Sequence, residues 1–192
     1  SILNTNYKIM QTFREYYEDG EHLRDKDRIA VMPGGYKPPT KGHFMAFRYL
    51  LQDADSGIIV IGNKDRDGIT AQQSKAIWDV YAKYMGKPVE VELAPVSPVR
   101  TVYEFADNNK EVEITVGAGA KDEDVKRYDY FTKNVEKYPL VNVVKIPMQE
   151  NAISGSKTRA LIAQNLDEAI NYFVPEEISE TDKDAIKNIL TN

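Results

Sequence analysis

Apolar residues along the chain follow two rhythms that trade places. Between Thr5 and Asp19, Ile9, Met10, Phe13, Tyr16 and Tyr17 fall three and four residues apart, the spacing of an amphipathic helix with an aromatic stripe. A charged connector from Asp19 to Asp27 follows. The rhythm then changes to short unbroken apolar runs: residues 29–32, 57–62, 89–93, 112–116 and 141–146. Each run is bounded by Gly or Pro, the pattern of strands buried on both faces. Helical spacing returns between them, in Phe44, Phe47, Leu50 and Leu51, in Ala71 to Tyr84 around Ile77, Trp78, Val80 and Tyr81, in Val99 to Asn108, and in Asp122 to Val135. From Ser156 onward the pattern is helical, interrupted at Pro175 and resuming to Leu190. This alternation predicts an α/β protein, a five-stranded parallel sheet covered by helices. In such sheets ligands bind beyond the carboxyl ends of the strands. The loops after Met32, Gly62, Leu93, Val116 and Ile146 are therefore where chemistry is expected.

Composition narrows the chemistry further. The 192 residues carry a net charge of −5, with no cysteine and two histidines, His22 and His43. Without thiols there are no disulfides, iron–sulfur clusters, zinc thiolates or cysteine nucleophiles, and two imidazoles cannot build a three-histidine zinc site. The acidic balance argues against nucleic acid as a partner. No run approaches the roughly 20 apolar residues of a membrane span, so a cytoplasmic domain is the expectation, with no membrane partner. The organisation read from the sequence is an N-terminal helix and connector (1–27), a main domain (28–174) and a C-terminal helical extension (175–192).

Two loops are composed as phosphate sites. After the first strand come Gly34, Gly35, Tyr36, Lys37, Pro38, Pro39, Thr40, Lys41, Gly42 and His43. The glycines permit close backbone approach, and Thr40 suits a helix N-cap, leaving first-turn amides and Lys41 to face an anion. After the last strand, Ile153, Ser154, Gly155, Ser156, Lys157, Thr158 and Arg159 offer a second helix start, capped by Ser154 or Ser156, with a guanidinium in its first turns. A P-loop reading fails, because no glycine lies five residues before Gly155 and Ser156 intervenes before Lys157.

With those residues in place, the first loop resembles the signature of the nucleotidyltransferase superfamily, Gly-x-Phe-x-Pro-x-(His or Thr)-x-Gly-His, met here by Gly34, Tyr36, Pro38, Thr40, Gly42 and His43. The second resembles that family's Ile-Ser-Ser-Thr-x-x-Arg, with Ile153, Ser154, Ser156 and Arg159 in register. The resemblance extends from about Arg28 to Leu166. The Tyr-Lys-Pro-Pro version of the loop is most similar to bacteriophage-encoded cytidylyltransferase-like proteins. Two departures stand out: Thr40 replaces the family's first His, and Lys37 replaces its usual Asp or Asn.

The resemblance implies a Rossmann-like, doubly wound fold. It also implies a reaction in which a small phosphorylated acceptor attacks the α-phosphorus of CTP or ATP and pyrophosphate leaves. By analogy His43, Thr40, Lys41 and Arg159 are the catalytic set. Gly34, Gly35, Tyr36, Gly42, Gly117, Gly119, Lys121, Ile153, Ser154 and Ser156 are nucleotide- or phosphate-binding, with Gly117 to Asp122 against the base. Lys37, Arg66 and Arg100 are candidates for the acceptor. Mg2+ is expected with the triphosphate, held through nucleotide and water rather than a protein cage. The subgroup likeness favours CTP. Two other readings remain at this stage: a non-catalytic nucleotide-binding module whose first helix forms a homo-oligomer contact, and a fragment of a tRNA synthetase.

Overall fold

A computed structural model describes residues 27–147 and 152–192; the helix expected over residues 5–19 lies outside them. Five strands, β1 (Arg28–Gly34), β2 (Ser56–Ile61), β3 (Val89–Leu93), β4 (Glu113–Ala118) and β5 (Val141–Lys145), form one sheet in the order β3-β2-β1-β4-β5. All four pairings are parallel. Helices α1 (Lys41–Leu51), α2 (Ala71–Ala82) and α3 (Pro98–Asn108) follow the first three strands. Two short helices, α4 (Asp122–Lys126) and α5 (Asp129–Lys133), follow β4, and α6 (Gly155–Gln164), α7 (Leu166–Phe173) and α8 (Glu180–Thr191) complete the chain. None of these helices is long and apolar enough to cross a membrane.

The sheet divides the core by side-chain parity. On β1, Ala30 and Met32 face a cluster with Phe44, Phe47, Trp78, Tyr81 and Phe173, while Ile29 and Val31 face Val102, Phe105 and Phe131. The alternation on β2 is the same, with Ile59 and Ile61 on one side and Ile58 and Val60 on the other. Burial on both faces is why these strands read as continuous apolar runs. Ile178 and Ile186, from the segment set apart as an extension, sit in the same cluster as Trp78.

Three boundaries differ from the sequence expectation. Strands β1 and β4 run on through Gly34 and Ala118, beyond their turn-like Gly residues, and stay paired to the end. At Gly117 a Cβ would overlap Leu50 of α1, so glycine here serves close helix-on-strand packing instead of a turn. The single helix expected over 122–135 is two: Tyr128 takes φ −111°, ψ 12°, and its buried ring stacks beside Tyr103 and Phe131. The last helical stretch also breaks at Asn165, which closes α6 and whose side chain accepts from the Glu168 amide to start α7.

Successive strands step outward from β1 to β2 to β3, and the chain then returns to lay β4 on the other side of β1. The crevice at the carboxyl ends of β1 and β4 is therefore the topological switch point, where the chain diverges to both sides.

Candidate nucleotide site

A cavity of about 680 Å3 opens at that switch point. Its wall gathers Gly34, Gly35, Tyr36, Thr40, Gly42 and His43 from the first loop, and Gly117, Gly119 and Lys121 from the end of β4. Ile153 and Gly155 come from the start of α6. Residues from three separate stretches of sequence thus share one surface, of a size that accommodates a drug-sized ligand.

The first loop is bolted down before any ligand arrives. Tyr36 has φ 51°, donates its hydroxyl to the Met32 carbonyl (3.0 Å), and lies edge-to-face between His43 and Trp78. Its own carbonyl accepts from Ser74 Oγ, and the Pro39 carbonyl accepts from the Tyr81 hydroxyl, so two residues of α2 fasten the turn from below. Lys37, a candidate for the acceptor or for plain solvation, is withdrawn from bulk solvent. Its side chain is buried, and Nζ donates to the carbonyls of Gly35 (2.5 Å) and Gly62 (2.9 Å), tying the tips of β1 and β2 together. Burial lowers the Lys37 pKa, and the Asp65 charge opposes that shift.

Thr40 is the N-cap of α1, as expected, and His43 occupies the third helical position. The Thr40 backbone N–H donates to His43 Nδ1 (3.0 Å). A backbone amide can only donate, so Nδ1 must carry a lone pair and the neutral ring holds its proton on Nε2. Burial pushes the imidazole pKa down to about 4. His43 is therefore a neutral Nε2–H donor in the cavity wall at ordinary pH. The linkage has a definite sign: between about pH 6.5 and pH 4 the unfolded chain binds a proton here that the folded chain excludes. Stability is expected to fall by on the order of 2 kcal/mol as pH drops through that window, with no contribution from this group above it. Imidazole NMR, assigned against a His43→Gln variant, would check it. A midpoint near 6.5 for His43 would contradict the locked tautomer.

The second helix start is built as its sequence indicated. Ser154 caps α6, its hydroxyl accepting from the Lys157 amide and its carbonyl from Thr158 Oγ1. The amides of Gly155 and Ser156 are left among the unpaired first-turn donors of this helix. Of this turn, Ile153 and Gly155 reach the cavity wall, whereas Ser154, Ser156 and Arg159 lie outside it. The Arg159 guanidinium instead donates from Nε to Asp67 (2.7 Å) and from Nη1 to the Lys37 carbonyl (3.2 Å). Lys41 and Arg66 are also off the wall. So is Arg100, whose side chain pairs with Glu104 one turn along an exposed face.

The sequence reading missed Asp124, Arg127 and Tyr128, which join Lys121 in the wall. Their spacing from Lys121, three, six and seven residues, is the signal that could have found them: one side of a helical segment beginning at an already suspected loop. Asp124 packs where a Gly119 Cβ would sit, so the side-chain-free backbone at Gly119 is what lets the carboxylate close in on it. Among the described residues no group of three or more His, Asp or Glu side chains is placed to hold a metal ion.

No protein-family model matches the sequence, nor does any curated protein. Solved structures do. A nicotinate-nucleotide adenylyltransferase from Vibrio parahaemolyticus superposes with a TM-score of 0.59 at 16% identity, over 86% of this chain and 99% of that one. The nicotinic acid mononucleotide adenylyltransferase of Plasmodium falciparum, crystallised with APC, gives 0.56 at 15% identity over 86% and 98%. The bifunctional NMN adenylyltransferase/ADP ribose pyrophosphatase of Francisella tularensis, crystallised with AMP and a manganese ion, gives 0.56 at 17% identity over 86% of this chain. This chain spans half the length of the Francisella protein. The neighbours are named as adenylyltransferases, and what this chain shares with them at this level of identity is the Rossmann-like α/β fold.

Proposed function

We propose that this chain is a nucleotidyltransferase that moves a nucleoside monophosphate from a nucleoside triphosphate to a small phosphorylated acceptor, releasing pyrophosphate. The observation that carries the reading is His43: a neutral imidazole, its tautomer set by the Thr40 amide, presenting an N–H donor to a cavity that also meets the start of α6. An oxygen of the acceptor attacks the α-phosphorus in line, the bond to the bridging oxygen breaks, and the electron pair leaves with pyrophosphate. Negative charge grows on the phosphate oxygens during that step. Fixed donors that need no reorganisation are what stabilise it. His43 Nε2 and the Thr40 hydroxyl would serve the α-phosphate, and the Gly155 and Ser156 amides with Arg159 the leaving pyrophosphate. Mg2+ would enter on the triphosphate and screen its charge, since the described residues offer no cage of carboxylates.

For the donor we propose ATP in place of the CTP favoured by subgroup likeness, because the named structural neighbours are adenylyltransferases. Their acceptors are mononucleotides, and a mononucleotide-sized phosphate monoester is the acceptor class we propose here. Pyrophosphate release with each of the four triphosphates, Mg2+ and a panel of phosphate monoesters tests the assignment. ATP-dependent release with one class of monoester supports it. Nucleotide binding with no release across the panel would favour a non-catalytic binding module.

A further inference from the structure

We infer that Asp67 is a positioning residue for Arg159, so that the loop after β2 sets the orientation of the guanidinium at the start of α6. This rests on the nucleotidyl-transfer reading above. Residues 66–69 form a tight hairpin: Arg66 and Ile69 exchange both backbone hydrogen bonds (2.9 Å each), and Asp67 and Gly68 have φ of 49° and 81°. Positive φ at both central positions is the type I′ geometry, for which Asp-Gly is a preferred pair. The hairpin is anchored at its base, where Asp65 accepts from the Ala71 amide and Thr70 and Gln73 cap α2 reciprocally. Its tip therefore presents the Asp67 carboxylate at a fixed place, 92 residues away in sequence from the arginine it meets.

Arg159 is held at two points. Nε reaches Asp67 and Nη1 reaches the Lys37 carbonyl, itself fixed because the Lys37 ammonium is bound to Gly35 and Gly62. Two contacts on a planar group define its plane, and among the described residues the other three of its five N–H donors, both protons of Nη2 among them, meet no partner. Nη1 also lies 3.0 Å from where a Gly155 Cβ would be, so the guanidinium rests against the helix turn that reaches the cavity. The Arg159 side chain is 9% exposed while that of Asp67 is 65% exposed. A carboxylate so exposed adds little to folding. What it does is fix the second of the two points that orient the guanidinium beside the start of α6.

The test is calorimetric titration of the full chain with inorganic tripolyphosphate, comparing the parent, Asp67→Ala, Asp67→Asn, Arg159→Ala and the Asp67→Ala/Arg159→Ala double variant. Asp67→Ala is expected to weaken binding at least fivefold, with a small fall in melting temperature because alanine is strained at φ 49°. Asp67→Asn, which keeps an oxygen for Nε, should stay within threefold of the parent or bind more tightly. In the double variant the loss should equal that of Arg159→Ala alone. Asp67→Ala binding as tightly as the parent, or losses that multiply in the double variant, would overturn the positioning role while leaving the functional reading intact. A parent chain that binds no tripolyphosphate would overturn both.

Discussion

Replacing His43 by Ala is expected to lower turnover by a factor on the order of 10²–10³ while the fold is retained. The size follows from the kind of group being removed. A preorganised donor aimed at developing charge contributes about 2.7–4 kcal/mol to the transition state, and His43 is preorganised on two sides. The Thr40 amide fixes its tautomer, and the Tyr36 ring meets it edge-on at 4.9 Å between centroids. The fold should survive because His43 lies at the rim of the core, while Phe44 and Phe47 make the deep contacts of α1. Turnover is read by pyrophosphate release and the fold by circular dichroism. A well-folded variant with near-parental turnover would remove His43 from the chemistry.

The second large effect is expected at Gly34, through packing alone. A Cβ at this position would lie 2.6 Å from Tyr36 Cζ and no more than 3.0 Å from two further ring carbons. The ring is held by its hydroxyl on the Met32 carbonyl and by edge-to-face contacts with His43 and Trp78, all of which a displacement would disturb. Gly34→Ala should therefore cost about 2–3 kcal/mol of stability, the range for overpacking a close-packed site. It should also disturb His43, because the displaced ring is what His43 packs against. Denaturant unfolding gives the stability, and Trp78, the chain's single tryptophan, reports the displaced Tyr36 by its fluorescence. An Ala variant as stable as the parent would mean that Tyr36 is free to move, and that the loop is less rigid than its hydrogen bonds imply.

How much of this was legible in the sequence depends on the range of the interaction. The strands were visible because burial on both faces leaves an unbroken apolar run, and Thr40 and Ser154 could be read as caps because an N-cap acts within three residues. His43 was found through its motif, but the lock on its tautomer was not, since it depends on the conformation of Thr40. The burial of Lys37 was not legible because lysine is almost never buried, and no local signal announces that the carbonyls of Gly35 and Gly62 will receive its ammonium. Nothing local to Asp67 announces its partner, and only the fold brings it to Arg159. Asp124 and Tyr128 carried a usable helical spacing from Lys121, but only the switch-point crevice shows that this side of the segment faces the cavity. Local structure was thus more legible than the long-range contacts that immobilise it.

The central claim is that a triphosphate lies between two helix starts, with His43 on one side and the first turn of α6 on the other. A crystal structure of the chain with Mg2+ and a non-hydrolysable ATP analogue tests it most directly. The account predicts phosphate oxygens at hydrogen-bond distance, about 3 Å, from both His43 Nε2 and the Gly155 or Ser156 amide. A nucleotide seated outside the cavity at the ends of β1 and β4, or one whose phosphates touch neither helix start, would contradict it.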